Sequence, residues 1–344
     1  MLFKPKTKEE LRKAIEEYCE NNDQKYGNIN DWDVSLITDM SNLFYCCYYS
    51  ECNNKIHHFN QSINNWNVSN VTNMTLMFHC CYDFNQPLNN WNVSNVTYMG
   101  SMFSSCHVFN QPINNWNVSN VTSVCSMFYG CNKFNQPINN WNVSNVVDMD
   151  YMFYFCKEFN QPLNNWNVSN VTNMNSMFCY CKEFNQPINN WNVSNVTNMS
   201  SMFFGCNMFN QPINNWNVSK VDNMIYMFSC CYVFNQPINN WNVANFTDMH
   251  SMLYKCEKFN KTYKEQFYMT NINKRNKYAL HELQKDISII KIYYMTKDKE
   301  FVMNNVTDNQ KNEIQKFIES KTENICELCY LQMPCINNIC AMCL

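Results

Sequence analysis

Apolar and polar positions along most of this chain follow one pattern that recurs many times. In residues 109–131, FNQPINNWNVSNVTSVCSMFYGC, the apolar side chains Ile113, Trp116 and Val118 come first, and Trp116 and Val118 alternate with Asn115, Asn117 and Ser119. A period of two predicts a short strand with one buried face. The second half of the unit changes period. In residues 97–109, Met99, Met102, Phe103 and Cys106 fall at i, i+3, i+4 and i+7, which predicts a helical turn or two. Thr97 suits the N-cap, and Asp148, Asp222 and Asp248 of sister units lie close behind that position, where the helix dipole favours an anion. A strand inside and a short helix outside describe a horseshoe.

Tryptophan sets the ruler, at Trp32, Trp66, Trp91, Trp116, Trp141, Trp166, Trp191, Trp216 and Trp241, with a step of 25 from Trp66 onward. Cysteine keeps the same step from Cys81 to Cys256, and Cys47 belongs to the first unit. The first tryptophan step is 34, and its nine extra residues fall between Cys47 and Phe59, as a loop inserted on one edge. Units of 20–29 residues bury a core only by stacking. The reading is therefore an α/β repeat solenoid, a leucine-rich-repeat-like horseshoe of nine coils over residues 29–258. Residues 1–28 form a helical cap, because Thr7 with Glu10 makes a capping box and Leu11, Ala14, Ile15 and Tyr18 share one face. After Cys256 the ladder stops. Residues 259–325 read as a small α+β segment, with helices over 277–285 and 307–318 and β-rich runs over 287–295 and 301–306. Residues 326–344 are a Cys-rich tail.

The elements FNQPINNWNVSNVTNM and MFxxC, with the opening ELRKAIEEY and then INDWDVSLITDMSNLF, resemble the BspA-like leucine-rich-repeat surface-protein family over roughly residues 7–260. The resemblance implies a right-handed repeat solenoid and, in bacterial members, surface display and adhesion to host proteins or other cells. The leucine-rich pattern LxxLxLxxN is matched at Ile113, Trp116 and Val118, with Val121 at its Asn position.

Charge narrows the partners. A net charge of -3 with 15% charged residues gives no basic footprint for a phosphate backbone, so no nucleic acid partner is expected. Four glycines, no GxGxxG and no GxxxxGK[ST] argue against a phosphate cradle, and a small-molecule ligand is not expected. The opening MLFKPKTKEELRKAIEEYCE has no apolar signal core, and no run nears 18 apolar residues. The expectation is a cytoplasmic chain with no membrane partner, reduced thiols, and unused sequons such as Asn92-Val93-Ser94.

Candidate chemistry is sparse. The Trp and Met-Phe columns read as core, with an aromatic ligand track as the alternative. The Cys ladder reads as a small, weakly polar inner corner, against a metal or disulfide array. Cys46, Cys80, Cys125, Cys179 and Cys230 stand off the ladder and read as accessible thiols. Repeated Asn suits stacked amide ladders and turns, or else a flat ribbon (Asn65, Asn67 and Ser69 in one unit) able to meet a polysaccharide. Six scattered His with no HExxH give no catalytic constellation, so no enzyme is expected. In the tail, Cys326 with Cys329 and Cys340 with Cys343 form two CxxC pairs ten residues apart, the spacing of a zinc knuckle, with Cys335 spare. Reduced or redox-paired thiols are the alternative.

The two places after Met-Phe vary most, and they carry Tyr129, Tyr154, Phe155, Tyr180 and Phe204 at mid-stack. A uniform surface recognises only something uniform, so these five aromatics are the candidate contacts for a protein partner. The expected function is a non-catalytic scaffold for protein–protein interaction. The alternatives are a substrate-selecting adaptor whose zinc tail recruits modification machinery, and an adhesin-like binder of a periodic ligand.

Overall fold

The computed structural model describes residues 2–21, 24–45, 54–244, 247–249, 251–263, 267, 335–336 and 339–340. Consecutive units are joined by single parallel bridges that run Asp39, Asn73, Tyr98, Ser123, Asp148, Asn173, Asn198, Asn223 and Asp248. Each bridge heads a longer ladder. The N–H groups of Met74, Leu76, Phe78 and Cys80 donate to the carbonyls of Tyr98, Gly100, Met102 and Ser104 in the next unit, at 2.8–2.9 Å. The residues between fold back on their own unit: Met77 donates to the Met74 carbonyl, His79 to Leu76 and Cys81 to Phe78.

The two halves of a unit thus differ from the sequence reading. Where a short helix is expected over the MFxxC segment, the described residues form turns that carry the bonds between units. Where a strand is expected around Trp116, Trp116 N–H donates to the Ile113 carbonyl at 3.1 Å and Val121 N–H to Val118 at 3.0 Å, so that half is made of tight turns. The cause is the backbone. Leu76 and Cys80 have φ of 58° and 62°, and the equivalent places in later units, Ser101 and Ser105 or Tyr151 and Phe155, are left-handed as well. A left-handed residue at every fourth position ends any α-helix but still turns Met102, Phe103 and Cys106 inward, so the i, i+3, i+4, i+7 spacing survives without the helix.

The core is a set of columns. All nine tryptophans are at most 3% exposed. Their rings lie nearly parallel from unit to unit, as for Trp91 and Trp116 at 6.4 Å and 3°. A buried indole N–H needs an acceptor, and from Trp66 onward each donates to the preceding unit, Trp116 to the Leu88 carbonyl at 3.1 Å and Trp141 to Ile113 at 3.1 Å, while Trp32 donates to the Tyr26 carbonyl at 3.0 Å. Phe103 stacks on Phe109 within its own unit at 4.2 Å and on Phe128 in the next at 5.8 Å.

Helix α1, Lys8–Asn21, closes the first unit. Glu10 N–H donates to Thr7 Oγ1 at 3.2 Å, while the Glu10 carboxylate accepts from Lys6 N–H, one residue before the partner of the usual capping box. Leu11, Ala14 and Ile15 are buried against the stack. Arg12 reaches the carbonyls of Asn42 and Tyr45 at 2.7 and 2.9 Å, and at Tyr45 it stands in for the N–H that a preceding unit would supply, as Cys80 does for Ser104. The inserted edge carries a 3-10 turn at Asn54–His58. At the other end Phe259 stacks on Phe234 at 5.6 Å, and Asn260 Oδ1 accepts from Thr262 and Tyr263 N–H as the chain turns into a helical segment. Strands β1, Cys335–Ile336, and β2, Ile339–Cys340, pair antiparallel with Cys335 opposite Cys340. The elements expected over 277–318 lie outside the described residues.

Candidate functional site

Within the unit 148–158, Met149, Met152, Phe153 and Cys156 are buried, which sends Asp148, Asp150, Tyr151, Tyr154, Phe155, Lys157 and Glu158 to the surface. Stacking units turns these positions into columns. The five aromatics marked in the sequence come together there, each half-buried. Tyr129 stacks on Tyr154 at 4.7 Å, Tyr154 meets Phe155 edge-on at 4.9 Å, Phe155 stacks on Tyr180 at 4.5 Å, and Tyr180 meets Phe204 at 5.1 Å. Two residues that sequence reasoning missed extend this seam: Tyr151, 5.4 Å from Tyr154, and Tyr226, 6.2 Å from Phe204. Their column reads Ser in five of the units (Ser101, Ser126, Ser176, Ser201, Ser251), so the two Tyr stand out once that column is aligned.

The seam sits on unfavourable backbone. Tyr151, Phe155, Tyr180 and Tyr226 have φ between 53° and 61°, where sister units place Ser126, Gly130, Gly205 or Ser201. Gly205 is needed for a second reason, since a Cβ there would stand 2.8 Å from Tyr180 Cδ1. Burial pushes the phenols of Tyr129 and Tyr154 up, so both are neutral donors. Along one flank Asn175 donates to Asp150 at 2.7 Å, and Ser200 donates to Asn175 at 2.5 Å. Burial raises the Asp150 carboxyl above its ordinary range. Along the other flank Lys157 lies 5.9 Å from the centre of the Phe155 ring.

The other candidates resolve differently. Each ladder thiol donates to a phenylalanine carbonyl one unit back, Cys106 to Phe78 at 3.1 Å and Cys206 to Phe178 at 2.8 Å. Burial holds these thiols well above their ordinary range, so they remain S–H groups. Among the described residues no group of three or more His, Cys, Asp or Glu is placed to hold a metal. Cys80 and Cys179 are buried, against the expectation of accessible thiols, because their places face the neighbouring units; Cys125 and Cys230 are half-buried, and Cys46 lies outside the described residues. The Asn columns bond along the stack. Asn85 Oδ1 accepts from Asn110 N–H and Gln111 Nε2, and Asn110 does the same for Asn135 and Gln136. Asn117 Oδ1 is engaged by Ser119 N–H, and the same turn recurs at Asn67 and Asn92. Of the zinc candidates, Cys326, Cys329 and Cys343 lie outside the described residues, and only the backbone of Cys340 is described.

The repeat family described as "Mycoplasma protein of unknown function, DUF285" matches residues 13–132, 109–203 and 181–288. The chain belongs to that family. The three overlapping matches cover α1 from Lys13 onward, the bridged units and the residues just beyond them. No curated protein and no solved structure matches the chain. Among the described residues no helix is long and apolar enough to cross a membrane.

Proposed function

We propose that this DUF285 chain is a non-catalytic repeat scaffold, a leucine-rich-repeat-like solenoid whose mid-stack aromatic seam meets a protein partner. One observation carries the reading: Tyr151, Phe155, Tyr180 and Tyr226 put bulky aromatics at left-handed positions where other units carry non-aromatic residues, Gly130, Gly205, Ser126 and Ser201 among them. A side chain with a Cβ costs about 1–2 kcal/mol in that region, and the core does not require an aromatic there. Leu76, Cys80, Cys230 and Lys255 bear the same cost in other units, but at Tyr151, Phe155, Tyr180 and Tyr226 it is borne by aromatics, the residue types that anchor protein interfaces, which fits selection for contact. The Asn-rich face has less to offer a periodic ligand, since its side chains are already engaged with neighbouring units and turns. The same proposal includes the tail, where the two CxxC pairs of Cys326, Cys329, Cys340 and Cys343 suit one tetrahedral zinc that would anchor an adaptor function.

Replacing Tyr129, Tyr154, Phe155, Tyr180 and Phe204 with Ser tests the seam. Sister units already carry Ser104 and Ser105 at those places, so the stack should hold. Partner capture from native extract should disappear while the buried indoles keep their blue-shifted emission. Unchanged capture, with loss when Asn115, Asn117 and Ser119 and their equivalents are altered, would move the contact to the Asn-rich face.

A further inference from the structure

The seam is bordered asymmetrically. Crossing the central unit from one side to the other, the surface runs through Asp148 and Asp150, then Tyr151, Tyr154 and Phe155, then Lys157 and Glu158. Glu158 is paired with Lys133 of the preceding unit, which leaves Lys157 as the charge this flank offers. An apolar strip with an anion on one side and a cation on the other is complementary to itself when turned over.

We infer that the partner for which the seam is built is a second copy of this chain, docked seam to seam with the two stacks parallel. A two-fold axis along the stack leaves each unit opposite its own equivalent and exchanges the flanks, so Lys157 of each copy meets Asp150 of the other. Such an interface is isologous, and every contact occurs twice. The alternative two-fold, perpendicular to the stack, keeps each flank facing its own kind and sets Lys157 near Lys182, which repels. The remaining units opposite one another are close to neutral at these places: Asn173 and Asn175 face the Lys182 and Glu183 flank, and Asn198 and Ser200 face Asn207 and Met208. The charge pattern therefore sets orientation and register, and the aromatic strip supplies the apolar centre of the contact. This inference rests on the seam being a contact surface.

Sedimentation of the full chain tests it. The wild type should run at twice its 41.1 kDa chain mass at micromolar concentration. Lys157→Asp and Asp150→Lys should each raise the dissociation constant about tenfold or more, since each sets two like-charged pairs across the axis. Mixed in equal amounts the two variants should associate again, because both crossing pairs are then opposite in sign. Tryptophan emission checks that each variant is folded; if Asp150→Lys is not, Asp150→Asn replaces it and recovery on mixing becomes partial. A monomeric wild type, a Lys157→Asp chain that pairs as tightly as wild type, or a mixture that stays monomeric would each overturn the inference. A monomeric wild type whose five-Ser variant still loses capture of a different protein would remove the second copy and leave the scaffold reading standing.

Discussion

The indole N–H groups from Trp66 onward and the ladder thiols are matched to carbonyls one unit away. The indole N–H and the ladder S–H use different acceptors, the Ile or Leu carbonyl and the Phe carbonyl, so both residue types recur at fixed places. Thiol labelling of the native protein should therefore leave Cys81, Cys106, Cys131, Cys156, Cys181, Cys206 and Cys231 unmodified, since burial keeps them protonated and out of solvent. The proposed zinc makes a contrast within the same experiment. A strong chelator should expose Cys326, Cys329, Cys340 and Cys343 to the reagent and leave the ladder untouched; tail thiols that react equally with and without chelator would remove the metal. Burial of Trp, Met-Phe and ladder Cys was legible from their period alone. The burial of Cys80 and Cys179 was not, because it depends on which neighbour covers a given unit, and a single unit's sequence does not contain that.

At the scale of the element, the bonds between units run through the MFxxC half, where a helix is expected, and the Trp half, where a strand is expected, is made of tight turns. Spacing of apolar residues reports which side chains face inward, and both a helix and a ladder punctuated by left-handed residues put Met102, Phe103 and Cys106 there. The signal that separates the two is conformational and sits at Ser101 and Ser105, residues with no strong left-handed preference of their own; only Gly130 and Gly205 in sister units hint at it. Helix α1 was readable because Thr7, Glu10 and the Leu11, Ala14, Ile15 face are local. Its second task was not, since the contacts of Arg12 to Asn42 and Tyr45 span 30 and 33 residues. Arg12→Ala should destabilise the protein by about 1–3 kcal/mol, the range for hydrogen bonds from a charged donor, read as a lower urea midpoint with an unchanged slope. A midpoint equal to wild type would mean that water serves those carbonyls as well as the guanidinium does.

Across the whole molecule, one backbone pattern repeated from Asp39 to Asp248 gives a uniform frame on which differences between units become visible. The five marked aromatics were found by comparing units with one another. That they touch, and that Tyr151 and Tyr226 join them, follows from the stacking of columns and could not be read from any one unit. Oxidative footprinting of the unaltered chain reads the seam directly, because Tyr and Phe react with hydroxyl radical in proportion to their exposure and no substitution is involved. Between the dilute isolated chain and the chain engaged by its partner, Tyr129, Tyr154, Phe155, Tyr180 and Phe204 should become protected, with the exposed Tyr98 unchanged. Equal oxidation of those five in both states, or protection confined to Tyr98 and its neighbours, would contradict this expectation.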